Sequence, residues 1–176
     1  HFISDRTNWW NLYRWQDGTA HPLYEMAAEF GRPQWVFGMS TYGFASADTI
    51  ICSYTENGRW QLAQLDIKSS RLREIATPYT AIGNRGSLQV GDGFVAFNGG
   101  SAVLPDSIVR YDLNTSDIKV LRKASDNHIE EGYLSQPEAI EFPTENNKSA
   151  HAYYYPPQNK DFVAPEGELP PLLVFT

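Results

Sequence analysis

A weak internal repeat constrains the fold of this chain more than any other feature of its sequence. A short alternating segment, ending in an aromatic or aliphatic residue and then a polar one, occurs at residues 12–16, 62–66 and 108–112. The copies are 50 residues apart from Trp15 to Leu65 and 46 residues apart from Leu65 to Tyr111. A period of this length is typical of repeat architectures, in which each repeat is one supersecondary unit.

Each copy of the repeat has a turn and a second strand-like segment after it, and another strand-like segment before it. Asn57-Gly58 is a strong hairpin signal, because both residues tolerate a positive φ. Residues 34–38 and 87–90 are candidate first strands of their units. The pattern predicts about four short antiparallel strands per repeat, which is a β-propeller blade. A β-sandwich with turns every ~8–12 residues is the alternative.

The predicted fold class is therefore all-β, a partial β-propeller of about two to three four-stranded antiparallel blades. A closed propeller needs at least about four blades. We therefore expect the chain to hold only part of one, and to associate with itself through open strand edges when it is alone. The predicted partial propeller covers residues 1–134.

Charge and composition change in the last third of the chain. Residues 1–123 hold 12 acidic and 12 basic side chains, whereas residues 124–176 hold 9 acidic and 2 basic ones. Seven of the eleven prolines lie at or after Pro137. We therefore expect residues 135–176 to form a linker and the first strands of a second domain, with a last strand in the apolar run at residues 172–176.

The same composition excludes several function classes. The formal net charge of −7 argues against a nucleic-acid partner, which needs clustered Lys and Arg. No apolar run approaches the ~18 residues of a membrane span, and no secretory leader is visible, so we expect no membrane partner. The single cysteine, Cys52, excludes an internal disulfide and favours a reducing compartment, so we expect a cytoplasmic location. No metal-ligand spacing and no phosphate-binding loop stands out, so we expect no metal and no cofactor.

Several segments resemble the prolyl oligopeptidase family of serine peptidases, in particular its dipeptidyl aminopeptidase and acylaminoacyl-peptidase members. Residues 3–6 and 9–14 resemble a propeller blade of that family. Pro137-Glu138, with Tyr155-Pro156-Pro157 farther on, resembles the crossing from the propeller into the α/β-hydrolase domain. Residues 170–176 resemble the strand that runs into the family's oxyanion loop.

The resemblance implies that the parent protein is a hydrolase active in proteolysis and that this chain alone is not catalytic. The family's nucleophile sits in a G-x-S-x-G turn, and no such pentapeptide occurs here. The resemblance therefore implies a truncated hydrolase domain, no catalytic residue in residues 1–176, and a propeller that gates access for short peptides. The partners it implies are a peptide substrate, the rest of the hydrolase domain and the remaining blades.

Three residues are candidates for binding the substrate. Glu130 and Glu131 lie in an acidic stretch with His128, and some aminopeptidases of the family bind the substrate's amino terminus with propeller glutamates. A solvated linker is the ordinary interpretation of that stretch. Trp10 is a candidate because adjacent tryptophans in a strand point to opposite faces, which leaves one of Trp9 and Trp10 available at a blade edge.

Two other functions remain open at this stage. A non-enzymatic propeller module that binds a protein or peptide would show the same repeat. A carbohydrate-binding β-domain could use the five tryptophans, all of which lie in the first sixty residues.

Overall fold

A computed structural model describes residues 1–33, 35, 37–83, 88–126 and 129–175. The chain divides into two compact units, His1–Ser125 and Asp126–Thr176. This division falls somewhat before the predicted boundary after residue 134. The assignment of the second unit to a hydrolase domain stays a prediction. In the described part of the chain, regular structure consists of β-strands and two single 3₁₀ turns.

The first unit contains three antiparallel sheets that follow one another along the chain. The first sheet has the order β1-β2-β3, with β1 at Phe2–Ser4, β2 at Asn11–Gln16 and β3 at Thr19–Tyr24. The second has the order β4-β5-β6-β7, with strands at Tyr42–Ser46, Thr49–Glu56, Arg59–Asp66 and Arg71–Ile75. Each strand pairs with its neighbours in the chain, as in a propeller blade.

The third sheet repeats the four-position arrangement. Its order is β12-β11-β10, with β8 and β9 both paired to the free side of β10. The strands are β8 at Ala81–Ile82, β9 at Leu88–Gly91, β10 at Phe94–Gly100, β11 at Ser107–Asp112 and β12 at Ile118–Lys123. The fold is therefore all-β and has the sheet arrangement of a partial propeller.

Turn chemistry sets the register of the hairpins. Asp17 and Gly18 between β2 and β3 have φ values of 51° and 78°, and Asn57 and Gly58 between β5 and β6 have 49° and 76°. Positive φ at both central residues matches the right-handed twist of the flanking strands, and Asn, Asp and Gly tolerate it best. The sequence-predicted turns at these two places are confirmed.

The middle sheet is buried on both faces. Ile50 and Cys52 of β5 face a core shared with Leu12 and Phe30 of the first sheet and its connection. Ile51, between them, faces a second core that includes Val95 of the third sheet. Because side chains alternate along a strand, a continuous apolar run is the pattern of a strand covered on both sides. These two cores hold the three sheets together.

The second unit is built around one hairpin, β13 at Glu138–Pro143 and β14 at Ser149–Tyr154. Its 3₁₀ turns lie at Glu131–Tyr133 and Glu145–Asn147. None of its described residues is buried. This unit therefore has no core of its own within the part of the chain that is described.

Two strand predictions need correction. The first strand of the second sheet is Tyr42–Ser46 and not 34–38; Gln34 and Val36 lie outside the described residues, and Trp35 and Phe37 are exposed. Residues 172–175 are exposed and form no strand, because a strand needs a hydrogen-bonded neighbour and the described residues supply none. Residue 176 lies outside the described residues. The strand predicted at 87–90 is present as β9, and its first predicted residue, Ser87, also lies outside the described residues.

No helix in the described residues is long and apolar enough to cross a membrane.

Candidate functional site

A cleft of about 640 Å³ lies between the first and second sheets of the first unit. Its volume is within the range of small-ligand sites, ~300–1,000 Å³. Apolar and polar side chains both reach it, as is usual for a binding pocket. The lining consists of Ile3, Ser4, Asp5, Trp10, Gly31, Arg32, Met39, Ser40, Thr41, Tyr42, Gly43 and Phe44.

The buried amide of Asn11 anchors the connection that carries Gly31 and Arg32 of the cleft lining. Asn11 Nδ2 donates to the Met26 carbonyl at 3.0 Å, and its Oδ1 accepts from the Met26 amide at 2.7 Å. Asn11 Nδ2 also lies 3.4 Å from the Ala28 carbonyl. These bonds hold the connection that follows β3 against β2, because a buried amide left without partners would cost ~1–3 kcal/mol.

The same connection holds the backbone of Trp10 through both its amide and its carbonyl group. The Trp10 amide donates to Glu29 Oε2 at 2.8 Å, and the Phe30 amide donates to the Trp10 carbonyl at 2.7 Å. The Trp10 indole lies directly against Gly31, where an added Cβ would collide with the ring. Only glycine allows this approach, so the indole has a fixed place in the cleft wall.

The opposite wall comes from the segment that enters β4. Thr41 Oγ1 donates to the Phe30 carbonyl at 2.6 Å, which ties this segment to the first wall. The Tyr42 hydroxyl donates to the His1 carbonyl at 3.1 Å, and burial raises the pKa of that hydroxyl. Phe44 is partly exposed and meets the His1 ring edge-on, with ring centroids 5.0 Å apart. Aromatic groups therefore stand on both sides of the cleft.

The Arg32 guanidinium, which carries a positive charge at the edge of the cleft, is held by two groups outside the cleft lining. Its Nη2 donates to the Ile82 carbonyl of β8 at 2.7 Å, and its Cζ lies 3.7 Å above the centre of the Trp60 ring. Burial lowers the pKa of the guanidinium, and its buried Nε has no hydrogen-bond partner among the described residues. Arg32 therefore joins the connection after β3 to the second and third sheets.

Glu130 and Glu131 lie in the second unit, whereas Trp10 lies in the first. Glu130 Oε2 is 3.4 Å from Lys160 Nζ, which also lies 5.1 Å from the centre of the Tyr133 ring. Hydrogen bonds to Tyr133 first, and then to Asp161 and Glu130, raise the pKa of the Lys160 ammonium. Glu131 is exposed at the start of the 3₁₀ turn. The contacts of Trp10 are thus those of the first unit, and the contacts of Glu130 and Glu131 are those of the second. His128 lies outside the described residues.

Sequence reasoning identified Trp10 but not the side chains that share its cleft. Asp5, Tyr42 and Phe44 line the cleft, and Tyr42 is some thirty residues from Trp10 in the chain. Asp5 follows a strand and resembles an ordinary turn residue, and nothing local to residues 42–44 indicates a site. Their proximity depends on the packing of two sheets.

Metal ligation receives no support from the described residues, which contain no group of three or more His, Cys, Asp or Glu side chains that could hold an ion.

Solved structures match the chain over nearly its whole length. A puromycin-hydrolysing peptidase of Mycobacterium tuberculosis is 31% identical with a TM-score of 0.87, and the match covers 96% of this chain and 26% of that one. A puromycin hydrolase is 29% identical with a TM-score of 0.83, covering 95% and 25%. A variant of puromycin hydrolase in complex with PGG is 28% identical with a TM-score of 0.85, covering 96% and 25%. The chain thus spans about a quarter of their length. No protein-family model and no curated protein matches it.

Proposed function

This chain belongs to the prolyl oligopeptidase family of peptidases, and we propose that it forms the substrate-binding and gating segment of a serine peptidase acting on short peptides and aminoacyl compounds. Hydrolysis then belongs to a triad outside residues 1–176. The solved relatives hydrolyse puromycin, so an aminoacyl amide of that kind is the first substrate to test. Dipeptidyl and acylaminoacyl substrates are the alternatives within the same reaction class.

The observation that carries this proposal is the cleft that contains Trp10. A propeller segment that only supported its neighbours would have no need of a concave surface with a fixed indole. Here two hydrogen bonds hold the Trp10 backbone, and the indole packs against Gly31. A side chain fixed in this way binds a ligand at low entropic cost.

Gating fits the same arrangement. A rigid wall beside the reacting centre excludes water and admits only substrates that fit past it. The two cores on either side of the middle sheet make this wall stiff, because close-packed interiors resist deformation. The proposed role is thus steric selection by the propeller.

The first test uses the full-length protein that contains this chain. We expect it to hydrolyse puromycin, and we expect Trp10→Ala to raise the KM several-fold with a smaller change in kcat, because the indole contacts the substrate and not the reacting bond. Trp15→Ala is the matched control, since Trp15 is 63% exposed and lies outside the cleft. Equal KM values for the two variants would contradict the role of Trp10, and the absence of hydrolysis would contradict the peptidase proposal.

Glu130 and Glu131 are proposed to orient the substrate's positively charged amino terminus. Glu130 already contacts Lys160, so a substrate amine has to compete with that ammonium, whereas Glu131 is exposed. We expect Glu131→Gln to raise the KM for substrates with a free amine and to leave N-acetylated substrates unchanged. Glu145→Gln, an exposed glutamate in the second 3₁₀ turn, is the control. No difference between free and acetylated substrates in Glu131→Gln would remove Glu131 from the proposed role.

A non-enzymatic binding module is the alternative function, and two exposed aromatic residues between β3 and β4 favour it. Trp35 is 86% exposed and Phe37 is fully exposed, and large exposed apolar groups often mark interaction sites. Peptide binding by the full-length protein without turnover would support this alternative.

The cytoplasmic location is likewise proposed, on the basis of a single reduced cysteine.

A further inference from the structure

Strand β12 is an exposed and strongly basic edge of the first unit. It lies at one end of the third sheet, where β11 is its one neighbour among the described strands, and all six of its residues are exposed. Lys119, Arg122 and Lys123 give it three positive charges and no negative one. In the described part of the chain, none of these side chains has an ion-pair partner. The outer edge of β12 therefore combines an unpaired backbone, as far as the described residues go, with positive charge.

Strand β13 is an exposed edge of the opposite charge. It belongs to a two-stranded sheet with β14, and all six of its residues are exposed. Glu138 and Glu141 are its only charged side chains. Neither glutamate forms an ion pair within the residues that the structure describes. Pro143 stands at the last position of β13, where an edge strand tolerates the missing N–H.

Charge decides which of these edges can pair. Two copies of β12 set side by side bring Lys and Arg side chains together, and two copies of β13 bring glutamates together. Like charges directly opposite each other destabilise a strand pair, whereas opposite charges stabilise it. Charged side chains on an edge strand are a common means of avoiding pairing with an identical edge. The same charges favour the pairing of β12 with β13.

We propose that β12 of one copy of the full-length protein pairs with β13 of a second copy as neighbouring antiparallel strands. Each copy offers both strands, so a reciprocal arrangement uses both pairs and closes as a dimer. The pairing does not depend on the proposed function, since it involves neither the cleft nor hydrolysis. It names the two edges through which copies associate, which the sequence did not indicate.

One antiparallel register matches apolar residues with apolar ones and positive residues with negative ones. Its first three opposite pairs are Ile118 with Phe142, Lys119 with Glu141 and Val120 with Ile140. Leu121 is the extra residue of a bulge in the ladder with β11. Beyond the bulge, this register sets Lys123 opposite Glu138. A parallel pairing with as many charge pairs sets Ile140 against Arg122, so the antiparallel register is favoured.

Charge reversal in the full-length protein tests this pairing. We expect a dimer in sedimentation equilibrium, and we expect Lys119→Glu or Glu141→Lys alone to raise its dissociation constant about tenfold, because each creates two like-charged pairs per dimer. The variant with both changes should return to within about threefold of the wild-type value, because the opposite charges are restored. All these positions are exposed, so folding is not expected to change. Glu168→Lys, an equal change of charge at an exposed residue outside β13, is the control.

Three results of the charge-reversal experiment would overturn the proposal. The first is a full-length protein that is monomeric at every concentration. The second is a dimer that neither single variant weakens. The third is a loss of dimer in the single variants that the double variant does not restore. Hydrolytic activity enters none of these readouts, so failure of the peptidase proposal is a separate outcome.

A disulfide between two different copies tests the register. Val120→Cys and Ile140→Cys are prepared as separate full-length variants and mixed under oxidising conditions, so that a bond between the two positions has to join two chains. Opposite residues of a strand pair have Cβ atoms ~4.5–5.5 Å apart, close to the separation that a disulfide needs. We expect a covalent dimer from this mixture and little from Val120→Cys with Ala152→Cys, since Ala152 lies one strand farther away in β14. Cys52 is buried and does not compete. Equal yields from the two mixtures would contradict the register.

Discussion

At the residue scale, single polar side chains decide where the candidate site forms. The Asn11 amide binds two carbonyls and one amide of the connection after β3, and Thr41 bridges to the Phe30 carbonyl. Neither residue stands out in the sequence, because an Asn or Thr is usually exposed. The sequence named Trp10 as a candidate by placing the two adjacent tryptophans in a strand, whereas β2 begins only at Asn11 and both tryptophans lie in the connection before it. The contacts of Trp10 with Gly31 and Glu29 could not be predicted, since they require the fold.

Cys52 gives a residue-scale prediction. Its thiol is fully buried in β5 and donates to the Ala63 carbonyl at 3.7 Å, and burial raises its pKa to about 12. The reactive form is the thiolate, so we expect no reaction with a disulfide reagent at neutral pH in the folded protein. Reaction should appear only on unfolding in denaturant, in step with tryptophan fluorescence. Rapid labelling of the folded protein would contradict the burial of β5.

At the element scale, the repeat could be predicted because each copy of it carries its own turn signals. The segments found at residues 12–16, 62–66 and 108–112 lie in β2, β6 and β11, and the hairpin turns follow as expected. The strand Tyr42–Ser46 could not be predicted in the same way. It follows a long connection with two exposed aromatics, and its place depends on packing against neighbouring sheets and not on local propensity.

Two aspartates at equivalent places in the repeat give an element-scale prediction. Asp66, the last residue of β6, accepts hydrogen bonds from the Ser69 hydroxyl and amide, and these lower its pKa. Asp112, the last residue of β11, accepts from the Asn114 and Thr115 amides and pairs with Arg110, and its pKa is lowered in the same way. Aspartates in turns commonly accept hydrogen bonds from nearby backbone amides, so the sequence alone predicts this role for both residues.

The sign of the pH effect follows from these lowered pKa values. A carboxylate with a lower pKa in the folded state contributes stability that is fully present above the ordinary aspartate pKa of about 3.9 and is lost as the pH falls through the lower, folded value. We therefore expect Asp66→Asn combined with Asp112→Asn to flatten the fall of Tm below about pH 4. Asp92→Asn is the control, and equal acid sensitivity in wild type and the double variant would refute the assignment.

At the scale of the whole molecule, the two units differ in how they gain stability. The first unit buries two apolar cores between three sheets. The second unit exposes both faces of its hairpin, and Ile140, Phe142 and Tyr154 lie together on one of them by their register. The change in charge and proline content indicated a distinct second unit. Composition could not show that none of the described residues of this unit is buried, because burial depends on what covers a strand.

Self-association of the isolated 176-residue chain is the prediction at this scale. Exposed apolar strands pair with other chains, so we expect the apparent mass in light scattering to rise with concentration. Phe142→Lys and Ile140→Lys should lower it, whereas Tyr153→Lys, on the opposite face of the hairpin, should have a smaller effect. A monomer at all concentrations would contradict this expectation.

The absence of buried residues in the described part of the second unit also has a consequence for synthesis on the ribosome. Chains fold as domains while they emerge, and the first unit can complete both of its cores once residue 125 has left the exit tunnel. The described residues of the second unit include no buried side chain that could repay the entropy of ordering in the same way. We therefore expect its hairpin to stay open to chaperones and proteases for longer than the first unit does.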